Sequence, residues 1–181
     1  MQFLQTNPNP SNRHFRNRNY WNRAKSELRR AYKRCAYTSQ RIRGDDVSVD
    51  HFLPKAKYPQ LAYEWDNYRL ARPKLNRNKA DSEGVADPFQ VGTGWFVLDC
   101  PSCLILKGDN LDANTRDKVS ATIRMLKLNS DELVAERCRW LVDLADNLIS
   151  FDYVKREYPF LASEVDRQGI GGQLKTLFAL N

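Results

Sequence analysis

The sequence predicts an α+β fold in which a β-hairpin and a short helix form a small core. A basic helix precedes this core, and a mainly helical extension follows it. Apolar residues recur at intervals of three and four before Cys35 and again beyond Asn114, which is the pattern of one face of a helix. Between these regions Val47 and Val49 alternate with polar residues, as in a short strand buried on one side.

Changes in composition divide the 181 residues into three regions. Residues 1–19 are rich in Asn, Pro, Arg and Ser without a period, so they are predicted to form an irregular basic arm. Residues 20–110 hold the core with its flanking helix and a second hairpin. Residues 111–181 form the helical extension.

Within the core region, a first helix is predicted over residues 20–34 and a β-hairpin over residues 35–52, with an Asp-His pair near the end of its second strand. The core helix lies within residues 67–78. Because proline fits a helix only in the first turn, Pro73 moves the predicted start of this helix toward Arg72.

Beyond Asp81 the sequence predicts a second hairpin and then helices. A helix is predicted from Asn114, and residues 129–132 resemble a helix start with a capping box. The remaining predicted elements are strands at 95–98 and 104–106, and shorter helices near 151–158, 160–167 and 173–180.

Charge is concentrated at the start of the chain. The net charge is +7, but residues 1–43 contain eleven Lys and Arg against Glu27 alone, a net of +10 that leaves −3 for the remainder. A basic segment on a mildly acidic body suggests a phosphate-binding surface, and a solvated helix face is the alternative. The N-terminus lacks a secretory signal, and no stretch approaches the roughly 18 apolar residues of a membrane span, so a cytoplasmic protein without membrane contact is expected.

The four cysteines are not expected to form a disulfide scaffold in a chain of this length without an export signal. Cys100 and Cys103 form one CxxC pair, but no second pair follows at zinc-ribbon spacing. A closed zinc site needs four converging ligands, so no structural zinc is expected. Cys138 lies on the apolar stripe of a predicted helix and is interpreted as a core residue.

The stretch 49–81 holds the residues with the clearest chemistry. Hydrolysis of a phosphodiester needs a group that takes a proton from water and a cation that stabilises the developing charge. His51 would activate the water, Asp50 would bind a hard divalent cation, and Asn76 would add a neutral oxygen ligand, a set suited to Mg²⁺ or Mn²⁺. Asn67 is interpreted as structural, its amide bridging backbone groups and fixing the loop that carries the histidine. Neighbouring strand residues point to opposite faces, so Asp50 and His51 share a site only at a strand end or distortion.

These residues resemble the HNH (ββα-metal, His-Me finger) endonucleases, and the Asn67 to Asn76 spacing is similar to the HNH domain of RNA-guided Cas enzymes. Many HNH proteins also bind a structural zinc through two CxxC pairs, which this sequence lacks around the motif, so it resembles a zinc-free variant. The positions that match in order and spacing are Val49, Asp50, His51, Pro54, Asp66, Asn67, Asn76 and Lys79.

The resemblance implies a ββα-metal core and metal-dependent cleavage of DNA. It implies that Asp50 and Asn76 are metal ligands, that His51 is the general base and that Asn67 positions it. Residues 121–129 are similar to the region after the HNH core in bacterial nucleases that accompany ATPases in anti-phage defence, such as Septu-type and retron-linked systems. The C-terminal helices would then bind an ATPase or another protein subunit.

Basic residues near the motif and on the first helix are candidates for phosphate contacts, which give affinity without sequence readout. His14, in the basic arm, is interpreted as a solvent or phosphate contact rather than a catalyst. The candidates for nucleic-acid binding are Lys55, Lys57, Arg77, Lys79, Arg29 and Lys33.

Two other functions remain open on the sequence alone. The chain could be a catalytically weak or inactive nucleic-acid-binding subunit of a larger complex, as the basic arm and the missing zinc-site cysteines would allow. It could also be a structural interaction domain built around its C-terminal helices.

Overall fold

The computed structural model describes residues 20–178, so the predicted basic arm and His14 lie outside the described residues. The described chain is a mixed α+β structure with seven α-helices and two separate antiparallel sheets of two strands each. No helix in residues 20–178 has the length and apolar character needed to cross a membrane. In chain order the elements are a 3-10 turn Tyr20–Ala24, α1 Lys25–Tyr32, β1 Ser48–His51, β2 Tyr68–Ala71, α2 Pro73–Lys79, β3 Phe96–Asp99, β4 Leu104–Lys107, α3 Ala113–Met125, α4 Asp131–Ala145, α5 Phe151–Glu157, α6 Pro159–Gln168 and α7 Leu174–Leu177.

Strand β1 carries the Asp-His pair, and its partner is β2, with Asp50 opposite Arg69 and His51 opposite Tyr68. The prediction that residues 35–44 form the first strand of this hairpin is wrong. That segment folds into a tight turn, in which the amide of Cys35 donates to the carbonyl of Gln40 and the amide of Ser39 donates to the carbonyl of Cys35. Backbone groups used within the turn are not free for a ladder with β1.

Helix α2 follows β2 after a single residue, so two paired strands and a helix succeed one another along the chain. Pro73 occupies its first turn, which confirms the predicted start near Arg72. The helix ends at Lys79 because Ala80 adopts a positive φ of 48°. This end places the Lys79 side chain beside β1.

The first helix is shorter than predicted. Residues 20–24 form a 3-10 turn, and α1 ends at Tyr32 because Lys33 adopts a left-handed conformation with φ 59°. Lys33 therefore lies beyond the helix, whereas Arg29 lies on it.

The predicted β3–β4 hairpin is confirmed, as are the helices predicted between residues 114 and 168. The helix predicted near 173–180 is represented by α7 over Leu174–Leu177, and its last two predicted residues lie outside the described residues. The capping box at residues 129–132 is not formed. Ser130 precedes α4 without a side-chain cap, and Asn129 is used elsewhere: its Oδ1 accepts from the Ile105 amide at 2.8 Å and from Arg137 at 3.1 Å. Asn129 thus ties β4 to the start of α4.

Two hydrophobic clusters support these elements. The larger one joins α2, the β3–β4 hairpin and the C-terminal helices, and it includes Leu75, Leu98 and Leu141. The smaller one lies beneath β1 and β2 and consists of Leu28, Val47, Val49, Tyr68 and Leu70. The strand that carries the Asp-His pair is therefore anchored by its own small core.

The cysteines differ from the prediction in one respect. Cys103 and Cys138 form a disulfide that links the β3–β4 turn to α4, whereas Cys35 and Cys100 are buried free thiols. The stripe that places Cys138 on the packed side of α4 was visible in the sequence, but its partner depended on how the hairpin docks on that helix.

Candidate functional site

His51, the last residue of β1, is held through one ring nitrogen. Its Nε2 lies 2.9 Å from the carbonyl oxygen of Ala62, which also accepts a hydrogen bond from the Tyr68 hydroxyl at 2.9 Å. A carbonyl can only accept, so Nε2 carries the hydrogen and donates it. In the neutral ring, Nδ1 then holds the lone pair and is the nitrogen able to accept a proton.

Aromatic rings enclose the same imidazole. Trp21 and Tyr68 make edge-to-face contacts with it at centroid distances of 5.1 and 5.3 Å, and only 7% of the residue is exposed. Burial lowers the pKa of His51 to about 4; the hydrogen bond to Ala62 opposes this shift, while the positive charges of Lys55 and Lys79 add to it. The ring is therefore neutral at pH 7, the state that a general base requires.

Asp50 points into a different environment. Its Oδ1 accepts from the ammonium of Lys79 at 3.1 Å, and its Oδ2 accepts a short hydrogen bond from the Tyr37 hydroxyl. Asp50 is 2% exposed and Lys79 is fully buried. Burial raises the pKa of Asp50 above its ordinary value, although Lys79 and Tyr37 act in the opposite direction. Lys79 also donates to the carbonyl of His51 at 2.7 Å, so one ammonium holds both residues of the pair.

Asn67 connects the loop after β1 to the loop before β2. Its Oδ1 accepts from the Leu53 amide at 2.8 Å, and its Nδ2 donates to the carbonyls of Leu53 at 3.0 Å and Leu61 at 3.2 Å. These bonds fix the segment that brings the carbonyl of Ala62 to His51. That Asn67 serves catalysis in this way stays a prediction.

Asn76 lies half-buried on α2 and faces the start of β1. Its Nδ2 donates to Ser48 Oγ at 3.2 Å and to the carbonyl of Val49 at 3.3 Å. The amide thus fastens the helix to the strand, and its Oδ1 is the atom that would meet a cation.

Asp50 and His51 occupy opposite sides of β1, as alternation along a strand requires. On one side the contacts are Tyr37 and Lys79, and on the other they are Ala62 and the aromatic rings. A divalent cation needs space and carboxylate oxygens within its reach, yet Asp50 is buried with the Lys79 ammonium on one oxygen and the Tyr37 hydroxyl on the other. Residues 20–178 also contain no group of three or more His, Cys, Asp and Glu that could hold a metal ion. In this arrangement Asp50 does not fit a divalent cation unless Lys79 or Tyr37 moves away from it.

The predicted nucleic-acid contacts are spread over different environments. Arg77 and Lys33 are exposed, while Arg29 pairs with Asp45 at 2.8 Å and Lys57 with Glu83 at 3.4 Å.

Two other predicted contacts lie close to the motif. The Lys55 ammonium lies 5.1 Å from the centre of the Trp21 ring, near His51. Lys79 differs from its predicted role as a nucleic-acid contact. Its ammonium is fully buried and paired with Asp50, so it cannot reach a phosphate in this arrangement.

Sequence reasoning missed two contributors to this region. Tyr37 supplies a hydroxyl to Asp50, but its position in a supposed strand gave no signal of that contact. Arg69, opposite Asp50 on β2, is 3% exposed and makes a two-pronged pair with Asp87 at 2.9 and 2.7 Å. A strongly basic residue inside an apolar strand was the available hint, because such a residue is buried only with a partner.

The chain is similar to a bacterial Septu protein. The chain is 30% identical over 119 residues to the Septu protein PtuB of Bacillus thuringiensis, a match that covers 61% of this chain and 42% of that protein. The chain therefore spans less than half the length of this relative. No protein-family model matches the chain.

Proposed function

We propose that this protein cleaves DNA phosphodiester bonds as an HNH-type endonuclease in defence against phage, with His51 as the general base. The observation that carries the proposal is the state of the His51 ring. Its Nε2 is tied to a backbone carbonyl, which leaves the lone pair on Nδ1, and burial keeps the ring neutral at pH 7. A neutral imidazole with one defined acceptor nitrogen suits the removal of a proton from an attacking water.

In the proposed reaction Nδ1 of His51 takes a proton from water as the water oxygen attacks phosphorus. The phosphorus–oxygen bond to the leaving sugar breaks, and the leaving oxygen takes up a proton from solvent, which gives a phosphate monoester and an alcohol. The carbonyl of Ala62 holds the ring through Nε2 and stabilises the positive charge that the ring acquires. Asn67 keeps the loops of Leu53 and Leu61 in place, so the carbonyl cannot drift from the ring. With 7% of His51 exposed, a neighbouring ring has to shift before a phosphate reaches Nδ1, and Trp21 belongs to a single 3-10 turn.

The arrangement of the core supports the same proposal. The motif residues that resemble HNH enzymes fall on two antiparallel strands and a helix in consecutive order, β1, β2 and α2. His51 ends the first of these strands, Asn67 immediately precedes the second, and Asn76 lies on the helix. The expected ββα order and the placement of the motif on it are thus compatible.

The likeness to a Septu protein supports the defence role. By the resemblance of residues 121–129 to defence nucleases that accompany ATPases, the partner that we propose is an ATPase or another subunit that binds the C-terminal helices. Phosphate contacts are assigned to Lys55, Lys57, Arg77, Arg29 and Lys33, and DNA is the proposed substrate.

The divalent cation, Mg²⁺ or Mn²⁺, stays a prediction of the resemblance. When bound, such an ion would stabilise negative charge on the phosphate and on the leaving oxygen. The contacts of Asp50 do not fit it as they stand, whereas the contacts that prepare His51 as a base are formed without it.

A plasmid assay tests this function. Supercoiled plasmid is incubated with the full chain in EDTA, Mg²⁺ or Mn²⁺, with His51→Ala and the exposed-site control Arg124→Ala in parallel. We expect nicking or linearisation in a divalent metal but not in EDTA, unchanged cleavage by Arg124→Ala, and a loss of at least about 100-fold for His51→Ala. Cleavage at the full rate by folded His51→Ala would overturn the proposal.

A second candidate is a nucleic-acid-binding subunit that does not cleave by itself. The closed pairing of Asp50 with Lys79 and Tyr37 favours it, because the carboxylate is buried and already balanced by the charge of Lys79. Its expected result is DNA binding that weakens with salt, without cleavage in any divalent metal.

A further inference from the structure

The most unusual group near the motif is the ammonium of Lys79. It is fully buried, it lies 3.1 Å from Oδ1 of Asp50, and it lies 2.7 Å from the carbonyl oxygen of His51. The Tyr37 hydroxyl occupies the other oxygen of the same carboxylate. The positive charge that balances Asp50 is therefore supplied by the chain itself.

A divalent cation competes with this arrangement for the same oxygen. Mg²⁺ binds carboxylate oxygens at about 2.0–2.1 Å and keeps several waters, so it needs space as well as a free lone pair. Lys79 fills that position, and a second positive charge beside the ammonium would be repelled in a buried site. Lys79 and a metal ion therefore cannot bind this oxygen of Asp50 at the same time.

We propose that Lys79 is the resident cation of Asp50 in the free protein and excludes divalent cations from this carboxylate. Lys79 is then a positioning residue that holds Asp50 and the backbone of His51 in place. A metal ion can bind Asp50 only after the Lys79 ammonium has left it. The inference rests on the proposed function, since only a metal-dependent nuclease needs that loading step. A phosphate of bound DNA is an anion that would receive the displaced ammonium.

The position of Lys79 on α2 makes this exchange local. Lys79 is the last residue of the helix, and Ala80 leaves the helical conformation at φ 48°. Only the end of α2 has to open for the ammonium to leave Asp50. The amide of Asn76, one turn earlier, can keep the helix fastened to Ser48 and Val49 while this happens.

Binding of Mn²⁺ to the DNA-free protein, measured by electron paramagnetic resonance, tests the inference without cleavage as a readout. The wild type is compared with Asp50→Asn, with Lys79→Gln and Lys79→Met, and with each Lys79 variant combined with Asp50→Asn. Lys79→Gln keeps an N–H donor for Asp50 and therefore guards against misfolding of Lys79→Met. The matched control is Lys74→Met, since Lys74 lies on the same helix in an exposed pair with Glu132.

We expect the wild type, Asp50→Asn and Lys74→Met to bind Mn²⁺ equally, within about twofold. A folded Lys79 variant should bind at least tenfold more tightly than the wild type and lose this gain when Asp50→Asn is added. Wild-type binding at least tenfold tighter than that of Asp50→Asn would overturn the inference, as would folded Lys79 variants that gain nothing.

The plasmid assay separates this inference from the proposed function. A wild type that binds Mn²⁺ through Asp50 and cuts plasmid refutes the role of Lys79 but leaves the nuclease intact. Lys79 variants that gain the metal site, in a protein that never cuts DNA, leave the exclusion in place and refute the nuclease.

Discussion

The neighbouring residues Asp50 and His51 lie on opposite sides of β1 and have different surroundings. On the His51 side, a neutral ring is enclosed by Trp21 and Tyr68 and bonded to one carbonyl. On the Asp50 side, a charge is buried and compensated by Lys79 and Tyr37. On the first side the ring nitrogen Nδ1 holds a lone pair, whereas on the second side each carboxylate oxygen already accepts from a donor of the chain. A recognisable motif therefore does not by itself form an open metal site.

The largest expected effect lies on the charged side. Lys79→Met should lower the free energy of unfolding by about 3–5 kcal/mol, because it leaves Asp50 buried without its counter-charge. Adding Asp50→Asn should recover most of that loss, since both charges are then absent. Urea unfolding measures these values, and the exposed-pair control Lys74→Met should change them by less than about 1 kcal/mol. A loss below about 1 kcal/mol for Lys79→Met would mean that the pair does not compensate Asp50.

The burial of a neutral His51 should make the free energy of unfolding decrease at acid pH. The pKa of His51 is about 4 in the folded protein and about 6.5 when unfolded. Between pH 6.5 and about 4, the unfolded chain therefore binds a proton at His51 that the folded chain does not bind. Stability should fall as the pH drops from 6.5 to about 4, by up to about 3 kcal/mol from this residue.

Unfolding free energies measured across this pH range check the prediction. His51→Gln should remove that part of the slope, whereas His14→Gln, at the other histidine of the chain, should retain it. Equal slopes for the wild type and His51→Gln would contradict a depressed pKa at His51.

A smaller loss of stability is expected at Asn67, which fixes the loops on the His51 side of β1. Asn67→Ala should cost about 1–3 kcal/mol, because the buried backbone groups that its amide satisfies at Leu53 and Leu61 lose their partner. Chemical denaturation gives the value. Asn114→Ala, at an exposed position in the first turn of α3, should stay within about 0.5 kcal/mol. A similar loss in both variants would show that Asn67 has no special bridging role.

The smallest effect concerns the ring that covers His51. Trp21→Ala should raise the pKa of His51 from about 4 toward its ordinary value, because the imidazole becomes more hydrated. The lost ring contact should cost about 0.5–1.5 kcal/mol. With two histidines in the chain, an NMR titration resolves each ring. Trp65→Ala should leave the pKa unchanged, since Trp65 packs on Tyr68 instead; an unaltered pKa in Trp21→Ala would contradict the desolvating role of this ring.

Local patterns predicted much of the fold. Pro73 located the start of α2, and alternating and helical periodicities located the β3–β4 hairpin and the C-terminal helices. The partner of β1 could not be obtained in this way. Strand β2 begins seventeen residues after His51, and nothing in the local sequence distinguishes it from the nearer segment 35–44.

In the candidate site, too, contacts within nearby sequence were easier to predict than contacts between distant elements. Residue type and spacing were enough to single out His51 and Asn67, whose contacts are to nearby loops. The state of Asp50 depends on Tyr37 and Lys79, which come from the turn before β1 and from the end of α2. A lysine near a basic motif suggests a phosphate contact, and only the packing of α2 against β1 shows that Lys79 is buried.

The most direct test is chemical rescue of the base in single-turnover DNA cleavage. His51→Gly should cleave at least about 100-fold more slowly than the wild type, and added imidazole should restore part of the rate by occupying the space between Trp21, Tyr68 and the carbonyl of Ala62. A folded His51→Gly variant that cleaves DNA at the wild-type rate without imidazole would contradict the assignment of His51 as the general base.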